Sequence, residues 1–486
     1  MRLKQLSRKP WQASIGLVLM IAGVSELPGT VTLSPIFSDG MVLQAGEDIP
    51  VWGSASPGER VTLSFAGQVV TTVASATGEW SVKFHSMSVK PHAGSMIVRG
   101  TNVMEIGNIA VGEVWLASGQ SNMAFPFAQE GTGPIPPIFA ATISEPTDPD
   151  IRIFNLERAD GETQGDIKRE TYKGRWEISS ADSRRRFSIV AYYFARALEK
   201  HLNIPVGVIV SAVGGTAAEV WTPPWALRNR SDLKELIGRG KKGVWPFLSG
   251  EFYERLILPI SKFPVKGIIW YQGESNSGRG AEYRSLLPAM IAAWRKDRNQ
   301  EELPFLFVQL PPFDDLAMAQ PWEPLGVQSD PEVREAQLLT AKRVSKTAMV
   351  VTIDLCDGHD LHPLNKLPVG ERLALCARAL AYHERIEYSG PIIERWRVSN
   401  GAILIWFSHA KSGLDIRGQS TSEFSVAGED GIFYPAEARI QNGHLEVRSA
   451  EVSHPTAARY AWARAPAGIL FNRDGLPASP FRTDGQ

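Results

Sequence analysis

Cysteine is nearly absent, with two residues among 486. So small a number builds neither a disulfide framework nor a four-thiolate zinc site. Cys356 and Cys376 read as free buried thiols, with a pair between them as the alternative in an oxidising compartment. Neither sign of charge dominates, because 51 Lys+Arg against 52 Asp+Glu give a formal net charge of −1. Without a broad positive field, nucleic-acid binding has no electrostatic basis. The densest basic run, Arg184-Arg185-Arg186, has no second run beside it and reads as a solvated turn ahead of a helix. Compositional bias is lacking too. Hydrophobic residues at 43% and charged residues at 21% sit near globular averages, which excludes a disordered chain and a polytopic membrane protein. No repeat of fixed period stands out.

What is present begins with a charged-then-apolar leader. Arg2, Lys4, Arg8 and Lys9 precede the run Ala13 to Val24, followed by the small residues Ala22, Gly23 and Ser25 around its end. That order is the layout of a secretory signal peptide, and the run is shorter than the ~20 residues a membrane-spanning helix needs. Residues 1–25 are therefore expected to direct export to the periplasm or outside the cell, with no stable membrane insertion after processing. The length is about three times the ~150 residues of a typical domain, so two to four domains are expected. From 31 to 110 the chain reads as short strands with alternating polarity, such as Val61 to Phe65 and Val69 to Val73, punctuated by Gly40, Ser56-Pro57-Gly58 and Thr77-Gly78. From 111 to 386 apolar strands alternate with amphipathic helices, the α/β pattern of a mostly parallel sheet covered on both faces. Its candidate strands are Val114 to Ala117, Val206 to Val210, Gly267 to Tyr271, Phe305 to Gln309 and Ala348 to Ile353. Its candidate helices lie around Val190 to Leu198, from about Ala281 to Arg298 and from about Val369 to His383. From 387 to 486 β texture returns. The Gly-, Pro- and Thr-rich stretch Glu130 to Asp150 reads as a long loop beside the α/β core.

Open α/β sheets gather their sites at the carboxyl ends of strands, and three segments put polar residues there. In Ala117-Ser118-Gly119-Gln120-Ser121-Asn122-Met123 a serine follows a strand in a Gly-containing turn. Such a serine can be exposed as a nucleophile, though serine is also an ordinary turn residue. Met123 stands where the second glycine of a Gly-x-Ser-x-Gly elbow would be, which argues against the α/β-hydrolase fold. After Val206 to Ser211 comes Gly214-Gly215-Thr216, whose backbone could approach a ligand closely and offer N–H donors, or simply form a tight turn. The third segment, Trp270-Tyr271-Gln272-Gly273-Glu274-Ser275-Asn276, crowds hydrogen-bonding side chains at one strand end. Of nine histidines, His359 and His362 are the two placed after an α/β strand, in Asp357-Gly358-His359-Asp360-Leu361-His362-Pro363. A carboxylate beside a histidine can fix its tautomer and stabilise the imidazolium formed when it takes a serine proton. The same two His and two Asp could take a metal, but no matching third group appears elsewhere.

With Gly119-Gln120-Ser121-Asn122-Met123, Gly214-Gly215-Thr216 with Glu219 and Trp221, the Gln272-Gly273-Glu274 segment, and Asp360-Leu361-His362-Pro363 with Lys366, the chain resembles the sialate O-acetylesterases of the SGNH superfamily. Phe37 to Gln44 and Gly475 to Thr483 look like that family's opening and closing strands, so the resemblance covers nearly the whole mature chain. It implies an α/β, SGNH-hydrolase (flavodoxin-like) three-layer parallel-sheet domain over 111–386, flanked by β-rich, β-sandwich-like segments at 31–110 and 387–486. It implies a serine esterase hydrolysing O-acetyl esters on sugars without metal or organic cofactor. Ser121 would be the nucleophile and His362 the general base. The acid would be Asp360, then Glu274, then Asp357. The oxyanion hole would use the Ser121 and Gly215 N–H groups with the side chain of Gln272 or Asn276. The substrate would be an acetylated carbohydrate. Acetyl xylan or another polysaccharide, or a non-catalytic glycan-binding role on the same fold, are the alternatives. The ring residues Trp270, Tyr271 and Trp221 could stack on sugar near the site, but aromatic residues at strand ends are more often core packing.

Overall fold

The structure, a computed structural model, describes residues 30–128, 135–158, 172–314, 331–419, 421 and 423–484. The signal-peptide expectation for residues 1–25 lies outside them. The organising element is a long strand, β1 (Val103–Gly119), whose carboxyl-terminal half is wholly buried. It is joined by β2 (Asp148–Asn155), β3 (Trp176–Ser179), β4 (Val206–Ala212), β5 (Gly267–Tyr271), β6 (Phe305–Val308) and β7 (Thr347–Val350). The order across the sheet is β3-β2-β4-β1-β5-β6-β7, parallel throughout except for the antiparallel edge strand β3.

Burial on both faces explains why these strands read as unbroken apolar runs. Successive side chains point to opposite faces, so Trp115, Ala117, Ile269 and Tyr271 join one core cluster while Val114, Leu116, Ile268 and Trp270 join the other. The first face is covered by α1 (Ile189–Leu202), capped by the Ser188 hydroxyl, and by the carboxyl-terminal helix Leu367–Leu380. The second is covered by the helix Gly280–Asp297, whose Tyr283, Leu286, Leu287, Met290 and Trp294 are buried. Chain connections leave β1 toward β2 and β4 on one side and then cross to β5, β6 and β7 on the other. The carboxyl end of β1 is therefore the topological switch point, where such sheets form crevices.

The flanking β layers grip this core. The amino-terminal half of β1 pairs with Val42–Gln44 and Lys90–Arg99, so the strand runs unbroken through residues 110 and 111. At the other end, the fully buried Arg334 donates to the carbonyls of Leu310 and Pro311 in the core and of Ala463 and Arg464 in the carboxyl-terminal β segment.

Two sequence expectations fail here. The stretch taken as a loop from Glu130 to Asp150 holds a helix, Pro137–Ile143, and the start of β2. Pro136 and Pro137 sit at the helix amino terminus, where a missing N–H is harmless. Arg184, expected in a solvated turn, is fully buried, and its guanidinium donates to the carbonyls of Thr142 and Ile143 at the end of that helix and of Glu145 and Pro146 just beyond it. Both cysteines are free, Cys376 buried and Cys356 half-buried. No helix among the described residues is long and apolar enough to cross a membrane.

Candidate active site

The adjacent strands β4, β1 and β5 deliver the three polar segments to one place. In register, Gly119 lies beside both Ala212 and Tyr271. Immediately after β1 the backbone turns sharply: Gly119 takes φ +134°, and a β-carbon there would stand 2.1 Å from the Tyr271 carbonyl oxygen. Only glycine fits that crossing. The Gln120 N–H then bonds the Tyr271 carbonyl at 3.0 Å, and Ser121 opens a single helical turn, Ser121–Ala124. Ser121 is half-buried, and its flanking residues Gln120 and Asn122 are buried. A β-carbon built on Gly214 would lie 3.6 Å from Ser121 Cβ, so the glycine pair after β4 borders the serine. Among the described residues, neither the Ser121 N–H nor the Gly215 N–H meets an acceptor.

Beneath the serine lies a buried polar bracket centred on Asn122. Its Nδ2 donates to Glu274 Oε1 at 2.5 Å and to the Leu361 carbonyl at 3.0 Å, and its Oδ1 accepts from Lys366 Nζ at 2.6 Å. One amide thus ties together the segments after β1 and β5 and the loop carrying His362. Lys366 is 1% exposed, and its ammonium also faces the rings of Tyr271 at 5.3 Å and Phe125 at 5.8 Å. Burial pulls its pKa down to about 8, although the Glu274 and Asp360 charges oppose the change. Burial likewise pushes the Glu274 carboxyl up, with the Asn122 amide and the Lys366 charge pulling back. Glu274 Oε2 has no hydrogen-bond partner among the described residues.

His362 packs its ring against Phe125 at 5.3 Å, and its buried Nε2 is unpartnered among the described residues. Burial first, then the positive charge of Lys366, holds the imidazole below its usual pKa, while Asp360 raises it. The ring is therefore neutral at pH 7, as a proton acceptor must be. Asp360 Oδ1 accepts the His362 backbone N–H at 2.8 Å, and Asp357 Oδ1 does the same for His359 at 3.1 Å. Glu274 makes its side-chain contact with Asn122 and not with the imidazole.

Gln272 and Asn276 are fully buried and heavily engaged. Gln272 Nε2 donates to Gln120 Oε1, the Thr216 carbonyl and Asn276 Oδ1, and Gln272 Oε1 accepts from Tyr283. Asn276 Oδ1 also accepts the Ala218 N–H, and its Nδ2 donates to Glu219, which Arg279 pairs at 2.7 Å. These amides lace the three strand ends together. Of the two readings of the aromatic residues, core packing holds and sugar stacking does not: Trp270 and Trp221 are 0% exposed and Tyr271 2%, so none offers a face to a sugar. Their rings are core, with Trp270 edge-on to Trp221 and Trp294.

Sequence reasoning passed over Asn122 as a bracket, Lys366 as a buried charge, and Trp245, which is 47% exposed and donates its indole N–H to the Gly215 carbonyl at 3.0 Å. The first two stood inside quoted motifs but were given no role. Among the described residues no group of three or more His, Cys, Asp and Glu is arranged to hold a metal.

Residues 111–376 match the family model described as carbohydrate esterase, sialic acid-specific acetylesterase. A sialate O-acetylesterase of Mus musculus is 27% identical, the alignment covering 96% of this chain and 96% of that protein. A human protein of the same name is also 27% identical, covering 89% of this chain and 88% of its own length. The crystal structure of a carbohydrate acetylesterase from Xanthomonas citri superimposes with a TM-score of 0.80 at 34% identity, covering 94% of this chain and all of that one.

Proposed function

Because the chain belongs to the sialic acid-specific acetylesterase family of carbohydrate esterases, we propose that it removes acetyl groups from O-acetylated sugars, with O-acetyl sialic acid as the substrate its relatives' names point to. The observation that carries the reading is the Asn122 bracket, which gathers the Ser121 turn, the Glu274 segment and the His362 loop around one buried side chain.

In the proposed reaction Ser121 Oγ attacks the acetyl carbonyl and His362 Nε2 takes the serine proton. The tetrahedral oxyanion is received by the Ser121 and Gly215 N–H groups, which have no competing acceptor among the described residues. His362 then returns the proton to the departing sugar oxygen, leaving an acetyl ester on Ser121. Water attacks that ester with His362 again accepting a proton, and acetate leaves as Ser121 recovers its own. Asp360 is the favoured acid, since its carboxylate fixes the His362 backbone and favours the imidazolium. Glu274 serves the bracket. Gln272 and Asn276 would have to surrender protein hydrogen bonds to reach an oxyanion, so we assign them to holding the strand ends. No step calls for a metal or organic cofactor.

The same reading extends to an SGNH-type core over 111–386, supported by the parallel sheet with its site at the switch point, to β-rich units at 31–110 and 387–486, and to an exported protein. The test is acetate release from O-acetyl sialic acid and from acetyl xylan, measured side by side, together with labelling by a fluorophosphonate. Ser121→Ala is expected to fold, to lose labelling, and to lose about 10³-fold or more of the hydrolysis. Near-full activity in that variant removes Ser121 from the chemistry.

A further inference from the structure

Trp221, Trp270 and Tyr271 are buried beneath the site, and an exposed ring stands at its rim. Trp245 is carried by the loop Gly238–Gly250, between the helical turns after β4 and the segment leading to β5. Its indole N–H is anchored on the Gly215 carbonyl at 3.0 Å, and a β-carbon on Gly215 would lie 3.3 Å from Trp245 Nε1 and 3.6 Å from its Cδ1. The neighbouring glycine borders Ser121. The pyrrole edge of the indole therefore faces the glycine pair next to the serine, while 47% of the residue stays open to solvent.

A single exposed apolar residue is ordinary on a protein surface, but this ring is held in place rather than left to fold away. Lys241 N–H bonds the Pro246 carbonyl at 2.7 Å, and Ser249 N–H bonds the Arg239 carbonyl at 2.9 Å. The buried Glu251 accepts the N–H groups of Gly243 at 3.0 Å and Leu248 at 3.3 Å. Phe247 packs on Phe252 with ring centroids 4.7 Å apart. A ring fixed before binding loses little entropy when it is covered.

From this placement we infer that Trp245 is a specificity-determining residue: its indole is the platform on which the pyranose ring of an O-acetylated sugar stacks while the acetyl group reaches Ser121. A pyranose face lined by C–H groups is apolar with positive hydrogens, which suits the negative face of an indole. A ring-free acetate ester has nothing to place there. The inference rests on the esterase reading for the position of the acetyl group but not for the binding itself, and the test separates the two.

In one arm, calorimetry measures binding of an O-acetylated sialic acid to Ser121→Ala and to Ser121→Ala/Trp245→Ala. About a tenfold or greater weakening by the second substitution is expected, and equal affinities overturn the platform. In the other arm, acetate release is compared between the sugar ester and ethyl acetate. Trp245→Ala should lower the ratio of the two kcat/KM values about tenfold or more, chiefly through KM for the sugar, and Trp245→Phe should restore most of it. An unchanged ratio, or a Phe variant as poor as Ala, overturns the inference, the latter because it would mean that Trp245 acts only through Gly215. Absence of hydrolysis in the unaltered protein would strike the esterase reading alone, and the calorimetry would still decide the platform.

Discussion

Replacing Lys366 by Met sets two opposed energies against each other and leaves a signature in the pH profile. The ammonium is fully buried, with a pKa pulled from 10.5 to about 8, and at 1.36 kcal/mol per unit its burial costs about 3 kcal/mol at pH 7. The sign follows from the direction. A lysine with a depressed folded-state pKa binds its proton more weakly folded than unfolded, so stability rises as pH climbs from about 8 toward 10.5. Methionine removes that cost. It also strands the buried Asn122 Oδ1, now bonded by Lys366 at 2.6 Å, at about 1–3 kcal/mol. The terms nearly cancel, so the thermal midpoint of Lys366→Met should move by only a few degrees. Activity should not cancel. With Asn122 loosened, its bonds to Glu274 and to the Leu361 carbonyl lose their fixed geometry, and misplacing reacting groups by an ångström costs up to ~10²-fold. We expect kcat/KM to fall about 10- to 100-fold. Lys366 also depresses the His362 pKa, so its loss should shift the acid limb of the rate profile to higher pH, and any alkaline decline near pH 8 should vanish. Scanning calorimetry and a pH–rate series on acetate release check both. An acid limb that stays put or moves down, or a collapse of the midpoint with the wild-type profile intact in the surviving fraction, refutes the bracket.

Asp360→Asn removes the charge that raises the His362 pKa. Its acid limb should therefore move down in pH, with a loss of about 10²-fold or more in kcat. Glu274→Gln keeps an acceptor for Asn122 Nδ2, so its loss should stay within about tenfold, and a reversal of this order would transfer the acid role to Glu274. Gly119→Ala would press a β-carbon to 2.1 Å from the Tyr271 carbonyl oxygen at φ +134°. It should destabilise the fold by about 3 kcal/mol or more, read as a lowered denaturation midpoint, and a midpoint at the wild-type value would deny that the turn needs glycine.

The parts of this molecule legible in its sequence are those whose partners are local or periodic. A strand buried on both faces has to be apolar at every position, which is why Gly267–Tyr271 reads from composition alone and matches its observed bounds. Polar residues directly after such strands stand out because nothing in a parallel sheet's interior would keep them there. The bracket was hidden for the opposite reason: Asn122 meets Glu274 and Lys366 at separations of 152 and 244 residues. Lys366 stands in Leu364-Asn365-Lys366-Leu367, where nothing distinguishes a buried ammonium from a solvated one. Arg184 illustrates the same point, since its neighbours Arg185 and Arg186 are exposed while it is fully buried among carbonyls. For the aromatic residues, burial decides between the two readings in favour of core packing. Trp270 and Tyr271 sit at a strand end near polar residues, but a strand end flanked by β1 and β6 is interior on both faces. A ring that can meet a sugar has to lie outside the sheet on a chain segment free to approach the crevice from the side. In this protein that segment is the glycine-rich loop around Trp245, whose sequence looks like surface and whose position beside Gly215 exists only after β4 and β1 have paired.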